Sequence, residues 1–206
     1  MNGYTDPTQH LFWLASRALG VVALLLVAAS VTLGLLLSGR ISRRPGGPAR
    51  LKHLHEALAL TATGAIAGHG LLLLGDRYLH PSLADIAVPF AMATKPLWTG
   101  IGIVGGWLAA VVTASFYVRK WIGTKAWRRL HRFTLAVYAL SLVHTVGAGT
   151  DARSPWLIGL LVAITAPMVF AATYRYLPST REPRASVNAP AERQAPAAGR
   201  CGAAAA

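Results

Sequence analysis

Residues 54–74 read LHEALALTATGAIAGHGLLLL, an apolar run with a histidine near each end, His55 and His69, and a single acid, Glu56. As a helix rising ~1.5 Å per residue, the run is long enough to cross a ~30 Å hydrocarbon layer. Ionisable groups are costly inside a bilayer and normally have a partner there. The run therefore reads as a membrane helix whose two imidazoles each meet something.

Four further runs of the same kind flank it, near Phe12–Leu37, Leu97–Tyr117, Leu130–Val146 and Pro155–Tyr174. Of the 206 residues, 54% are hydrophobic and 13% charged, and the charges cluster between the runs, which excludes a soluble core. The expectation is an all-α integral membrane protein, a five-span helical bundle. The Leu130–Val146 run is the shortest and carries Ser, Thr and His. It counts as a span because no charge falls between Arg132 and Asp151, whereas a helix lying on the surface would show a charged face. The first run has no basic n-region, exceeds the usual h-region length and lacks a clear cleavage site, so it reads as a retained helix.

The formal charge of +13 invites a nucleic-acid reading, but the cations sit at alternate ends of the runs. Arg40, Arg43, Arg44, Arg50 and Lys52 separate the first two spans; Arg119, Lys120, Lys125, Arg128 and Arg129 separate the third and fourth. The positive-inside rule makes these loops cytoplasmic. Residues 1–11 are then extracytoplasmic, the C-terminus is cytoplasmic, and no nucleic-acid partner is expected. The loop from Gly75 to Pro96 faces outward, with apolar pieces around Leu83–Ala93 suited to a short surface helix. Residues 177–206, rich in Pro and Ala, have too little apolar surface to fold alone and read as a disordered tail. Cys201, the lone cysteine, excludes an intrachain disulfide, a Cys-ligated iron–sulfur cluster and covalent Cys-x-x-Cys-His haem attachment.

The fourth run also carries two histidines, His131 and His144. Their spacing of thirteen residues corresponds to ~19.5 Å of helical rise, against ~21 Å for the fourteen between His55 and His69. Both helices run from inside to outside, so His55 pairs with His131 near the cytoplasmic face and His69 with His144 near the outer one. Two neutral imidazoles on one iron favour electron transfer over oxygen binding at the metal. Four histidines at matched depths point to two haem b groups held by His55, His69, His131 and His144. The competing reading is four separate histidine contacts to backbone carbonyls. Metal transport is disfavoured because Glu56 is the only acid in the two spans. At 100° per residue, fourteen residues return to within ~40° of one face, but thirteen miss by ~140°. Either the fourth helix is locally tightened, with Thr134 or Ser141 bonding back to the backbone, or its two rings approach from different sides.

The stretch Trp127-Arg-Arg-Leu-His131-Arg-Phe followed by His144, the paired histidine spacing, and Trp13-Leu-Ala-Ser-Arg17-Ala-Leu-Gly20 together resemble the ferric-reductase-like transmembrane domain. That family includes ferric reductases, NADPH oxidases and the membrane haem subunit of the bacterial methionine-sulfoxide reductase system. The resemblance covers residues 12–176 and implies that the four histidines are axial ligands of two haems in a bacterial cell membrane. It further implies transmembrane electron transfer to an extracytoplasmic acceptor protein, ferric iron or oxygen. The chain departs from the family in two ways. One span of the usual six is missing before the first run, and no flavin- and nicotinamide-binding module follows the last. The expected donor is then a cytoplasmic flavoprotein or a membrane quinol, and the chain is the haem-carrying subunit of an oxidoreductase system. A non-redox membrane scaffold or transporter retaining the helical frame is the alternative.

Arg17 has two readings, a haem-propionate partner by its family position or an interfacial snorkel. Arg128, with Arg129, has the same choice between an inner propionate and positive-inside anchoring. Lys95 is placed at the outer interface, suited to the outer haem or an anionic partner. Gly64 and Gly68, with Gly102, Gly105 and Gly106, offer either close helix packing or room for a flat macrocycle.

Overall fold

The computed structural model describes residues 10–38 and 47–176. The expected N-terminal segment, the arginines at positions 40, 43 and 44, Cys201 and the tail lie outside the described residues. Among the described residues every regular element is helical: α1 (Leu11–Ser38), α2 (Gly47–Leu72), α3 (Leu83–Ala87), α4 (Pro96–Tyr117), α5 (Arg119–Ile122), α6 (Thr124–His131), α7 (Thr134–Ala148) and α8 (Pro155–Tyr176). A 3-10 turn, Leu73–Gly75, extends α2. Four helices are long and apolar enough to cross a membrane, namely α1, α2 with its 3-10 extension, α4 and α8, so the chain is a multi-pass membrane protein.

The interior confirms the solvent. Large apolar side chains such as Leu60, Leu71, Val111, Val162 and Phe170 are exposed along these helices, and they would be untenable in water. The buried core is correspondingly small: Leu24, Val27, Ala28 and Val31 of α1 meet Ala62, Ala109, Val137, Tyr138 and Met168. Alanines at the contacts let backbones approach closely, since lipid supplies no hydrophobic drive between helices. Hydroxyl pairs join the helices inside. Tyr138 and Thr165 share a hydroxyl–hydroxyl bond of 2.8 Å, and Thr63 and Thr113 one of 3.0 Å.

The fourth expected span is not one helix. After His131 the chain tightens into i→i+3 bonds, from Arg132 N to Arg129 O (3.3 Å), Phe133 N to Leu130 O (3.0 Å) and Leu135 N to Arg132 O (3.4 Å), before α7 resumes. Overwinding adds about 20° per residue, which recovers part of the ~140° phase mismatch. It also stretches the chain. With about three residues rising ~2.0 Å each and ten rising ~1.5 Å, thirteen residues span ~21 Å, the length that fourteen span on α2. Of the two expected back-bonds, Ser141 makes one, its hydroxyl donating to Val137 O at 2.8 Å. The uninterrupted helix, α7, has 15 residues, about 22 Å, and is shorter than the other four.

The loop between α2 and α4 carries a short helix, as its apolar pieces suggested. Ser82 and Asp85 form a reciprocal capping box at its start. Ser82 N–H and its hydroxyl both donate to the Asp85 carboxylate and hold its pKa below the usual value. The loop is fastened to α4 by Trp107 Nε1, which donates to Ala87 O at 2.8 Å, and by the Phe90 ring, which fills the place a side chain on Gly100 would take. Lys95, at φ 49°, turns the chain into α4, and its Nζ donates to Gly147 O and Ala148 O at the end of α7. A cation at a helix C-terminus is favourable there, and Lys95 is thereby engaged with backbone.

Candidate functional site: two histidine pairs

Helix α2 carries His55 near its start and His69 near its end, and α1 packs along it. His55 lies beside His131 with ring centroids 5.9 Å apart and planes at 83°. His69 lies beside His144 at 6.1 Å and 73°. The structure therefore brings together the four histidines singled out by sequence, in the pairs expected from their depths.

Three of the four rings are fixed by a main-chain acceptor. His69 Nδ1 lies 2.7 Å from Ser16 O, His55 Nδ1 lies 2.9 Å from Ser30 O, and His144 Nδ1 lies 2.9 Å from Trp98 O. A carbonyl only accepts, so each Nδ1 must carry the proton, and in the neutral ring it is then Nε2 that holds the lone pair. The Ser16 hydroxyl adds a second tie by donating to His69 O at 2.7 Å. The separate carbonyl contacts weighed as a rival to ligation are thus present, but they occupy only one nitrogen of each ring. In the His69–His144 pair both protons are committed elsewhere. Neither ring has an N–H left for the other.

The spacing of each pair matches one metal ion between two imidazoles. Two metal–nitrogen bonds of ~2.0–2.1 Å and two ring radii of ~1.1 Å sum to about 6.3 Å between centroids. Among the described residues no three His, Cys, Asp or Glu side chains converge. A bare zinc-type centre needs three or four protein ligands, whereas a haem needs only two, because the porphyrin supplies the equatorial four. Each histidine pair would hold a metal whose remaining positions a macrocycle supplied.

Glycines make the room. A Cβ on Gly20 would lie 2.9 Å from His69 Nδ1, one on Gly34 would lie 3.2 Å from His55 Cε1, and one on Gly102 would run into the His144 ring. The pattern repeats in α1: residues 15–20 read ASRALG and residues 29–34 read ASVTLG, in each of which the Ser carbonyl takes a histidine Nδ1 and the Gly, one turn on, faces the same ring. The repeat interval of fourteen equals the His55–His69 interval, which is why one antiparallel helix can serve both rings of α2. On α4, Trp98 and Gly102 serve His144 in the same i, i+4 arrangement. The repeat is legible in the sequence of α1 itself.

His131 is held differently. It is the last residue of α6, and its ring stacks on Trp127 of the same helix at 5.2 Å and 29°. Trp127 in turn lies against Phe116 at the end of α4, and its buried Nε1 has no hydrogen-bond partner among the described residues.

Between the two pairs lies a small cavity of about 50 Å³, bounded by Ser30, Ala59, Ala62, Thr63, Val112 and Val137 among others. Of the glycines suggested as packing or macrocycle space, Gly105 meets Leu140 and Gly106 meets Ile66, as helix packing requires, while Gly64 faces open space.

The arginines differ from the histidines. Arg17 is engaged in an ion pair with Asp151 and lies 5.2 Å from the Trp13 ring centroid, so its guanidinium already has partners. Asp151, which in the sequence only marks the end of the uncharged stretch after Arg132, is the residue missed here. Arg128 sits in the last turn of α6, exposed, one turn before His131. Because the Arg17–Asp151 pair is partly exposed, Asp151→Asn is expected to cost less than about 1 kcal/mol. The check is a small fall in the thermal unfolding midpoint of detergent-solubilised protein, with both histidine pairs unaffected.

No family model, curated protein or solved structure matches the chain.

Proposed function

We propose that the chain holds two b-type haems, one between His55 and His131 and one between His69 and His144, and conducts electrons across a bacterial cell membrane. The observation that carries this reading is the pairing itself: imidazoles about 6 Å apart inside a membrane protein, with Nδ1 protons of three rings committed to carbonyls so that Nε2 is free. The outer partner of a metal-ligating histidine is commonly such a carbonyl, which sets the tautomer and raises ligand basicity. The sequence stretches Trp13–Gly20 and Trp127–Phe133, with the paired histidine spacing, resemble the ferric-reductase-like transmembrane domain, and that resemblance supports the reading.

When bound, the haems would supply the one-electron chemistry. The protein's part is to orient the rings through Ser16, Ser30 and Trp98, to leave room for them at Gly20, Gly34 and Gly102, and to keep water from the apolar layer between the sites. In this reading α6 and α7 together form a fifth span, the N-terminus is outside and the C-terminus cytoplasmic. Electrons arrive from a cytoplasmic flavoprotein or a membrane quinol. They leave from the His69–His144 end to a partner protein, ferric iron or oxygen. Arg128 is then placed to meet an inner propionate, and Arg17 would have to leave Asp151 to meet an outer one.

The test is a reduced-minus-oxidised visible spectrum of the purified full chain with a pyridine haemochrome count. Two low-spin haem b per chain are expected. A chain that purifies folded, with haem available during expression, and shows no such bands overturns the assignment in favour of a non-redox scaffold or transporter.

A further inference from the structure

The two pairs are not equivalent, and the difference lies in one residue. His55, His69 and His144 each sit within a continuous helix, each donate Nδ1–H to a carbonyl of a neighbouring helix, and each face a glycine of that helix. His131 has none of these. It ends α6 at the overwound turn, no described residue accepts from its ring, and no described glycine faces it. Its aromatic neighbour Trp127 belongs to the same short helix, and, apart from the His55 ring, the aromatic contact this stack makes with another helix is that of Trp127 with Phe116 of α4.

We propose that His131 is a displaceable ligand, so that the His55–His131 site takes up a neutral diatomic molecule at reduced iron while the His69–His144 site stays closed. This rests on the haem assignment above. In the exchange, the bond from iron to the His131 nitrogen breaks and a bond from iron to the incoming ligand forms. Iron remains ferrous, the imidazole leaves as a neutral ring, and no electron or proton is transferred. A ring tied to a carbonyl of a neighbouring helix must give up that bond to leave, whereas no described residue takes such a bond from His131, whose stacking partner Trp127 lies on its own helix. The same freedom makes this end of the molecule the one at which iron can meet a small reactant directly.

Carbon monoxide is the probe, added to the dithionite-reduced full chain in lipid nanodiscs and read by difference spectroscopy. The expected result is a carbonyl spectrum amounting to one haem of the two. In the His69→Ala/His144→Ala variant all of the remaining haem should respond, and Trp127→Ala should speed uptake while Trp127→Phe, which keeps a stacking ring, should change it little. Two low-spin haems with no carbon monoxide uptake, uptake by both, or a remaining haem in the double variant that does not respond would each overturn the inference while leaving the haem assignment standing. Absence of b-type bands overturns both. The wild-type stoichiometry needs no variant, so a failure of any substitution to fold does not protect the proposal.

Discussion

Replacing His69 and His144 together by alanine is expected to halve the haem content of the purified chain, from two haem b to one, with the surviving low-spin spectrum belonging to the His55–His131 site. The reason is that each proposed haem is held by only two protein bonds, both of them from one pair. The pairs are separated by about 21 Å along α2, so loss of one set of ligands removes no contact from the other. The converse variant, His55→Ala/His131→Ala, should leave the complementary haem. A haemochrome count that stays at two in either variant would sink the ligand assignment. Removing all four imidazoles should abolish haem binding while leaving the helical far-ultraviolet signal, since none of the four belongs to the buried cluster around Val27, Ala62 and Tyr138.

The second large effect is expected at a residue that has no functional group. Gly102→Ala places a methyl within the space of the His144 ring, whose Nδ1 is tied to Trp98 O one turn earlier on the same helix. The ring cannot retreat without stretching that bond, and α4 cannot retreat without opening its contacts with α7 at Gly105 and Leu140. The proposed His69–His144 site should therefore lose one of its two ligands, seen as loss of one of the two expected low-spin haem signals. Gly64→Ala is the control: it lies on α2 with nothing near its added Cβ. There the gain in helix propensity, up to about 1 kcal/mol, should leave stability equal or higher and both signals intact. If Gly102→Ala and Gly64→Ala behave alike, the glycine at 102 is ordinary packing and the cradle reading fails.

The contrast between these two glycines marks where sequence reading stops. Both sit in small-residue stretches of membrane helices, and both admit the same two explanations. Only the packing of α4 against α7 separates one that faces a histidine from one that faces open space. The arginines follow the same logic. Arg17 carries a charge into the first apolar run, which is visible in the sequence, but its partner Asp151 lies on a different loop 134 positions later.

Local physics made other features legible. Helix length and hydropathy mark α1, α2, α4 and α8 as membrane helices, because crossing a bilayer imposes a minimum apolar run that few other structures share. The pairing of His55 with His131 and of His69 with His144 could be read from depth alone, since rise per residue is nearly constant in a helix. Depth fails where the rise changes. The thirteen-residue interval looked like a defect of phase, and it is the overwound turn after His131 that both lengthens the interval and divides the expected fourth span into α6 and α7.

By itself, then, the sequence determined an all-helical membrane chain with four imidazoles at two depths, because helical rise and the cost of burying polar groups act on each segment separately. The tertiary structure decided which nitrogen of each ring is free and which glycines give the rings room. It also decided that, among the described residues, only His131 of the four has no main-chain acceptor for its ring. Those properties depend on carbonyls and backbones of other helices, and no segment carries them on its own.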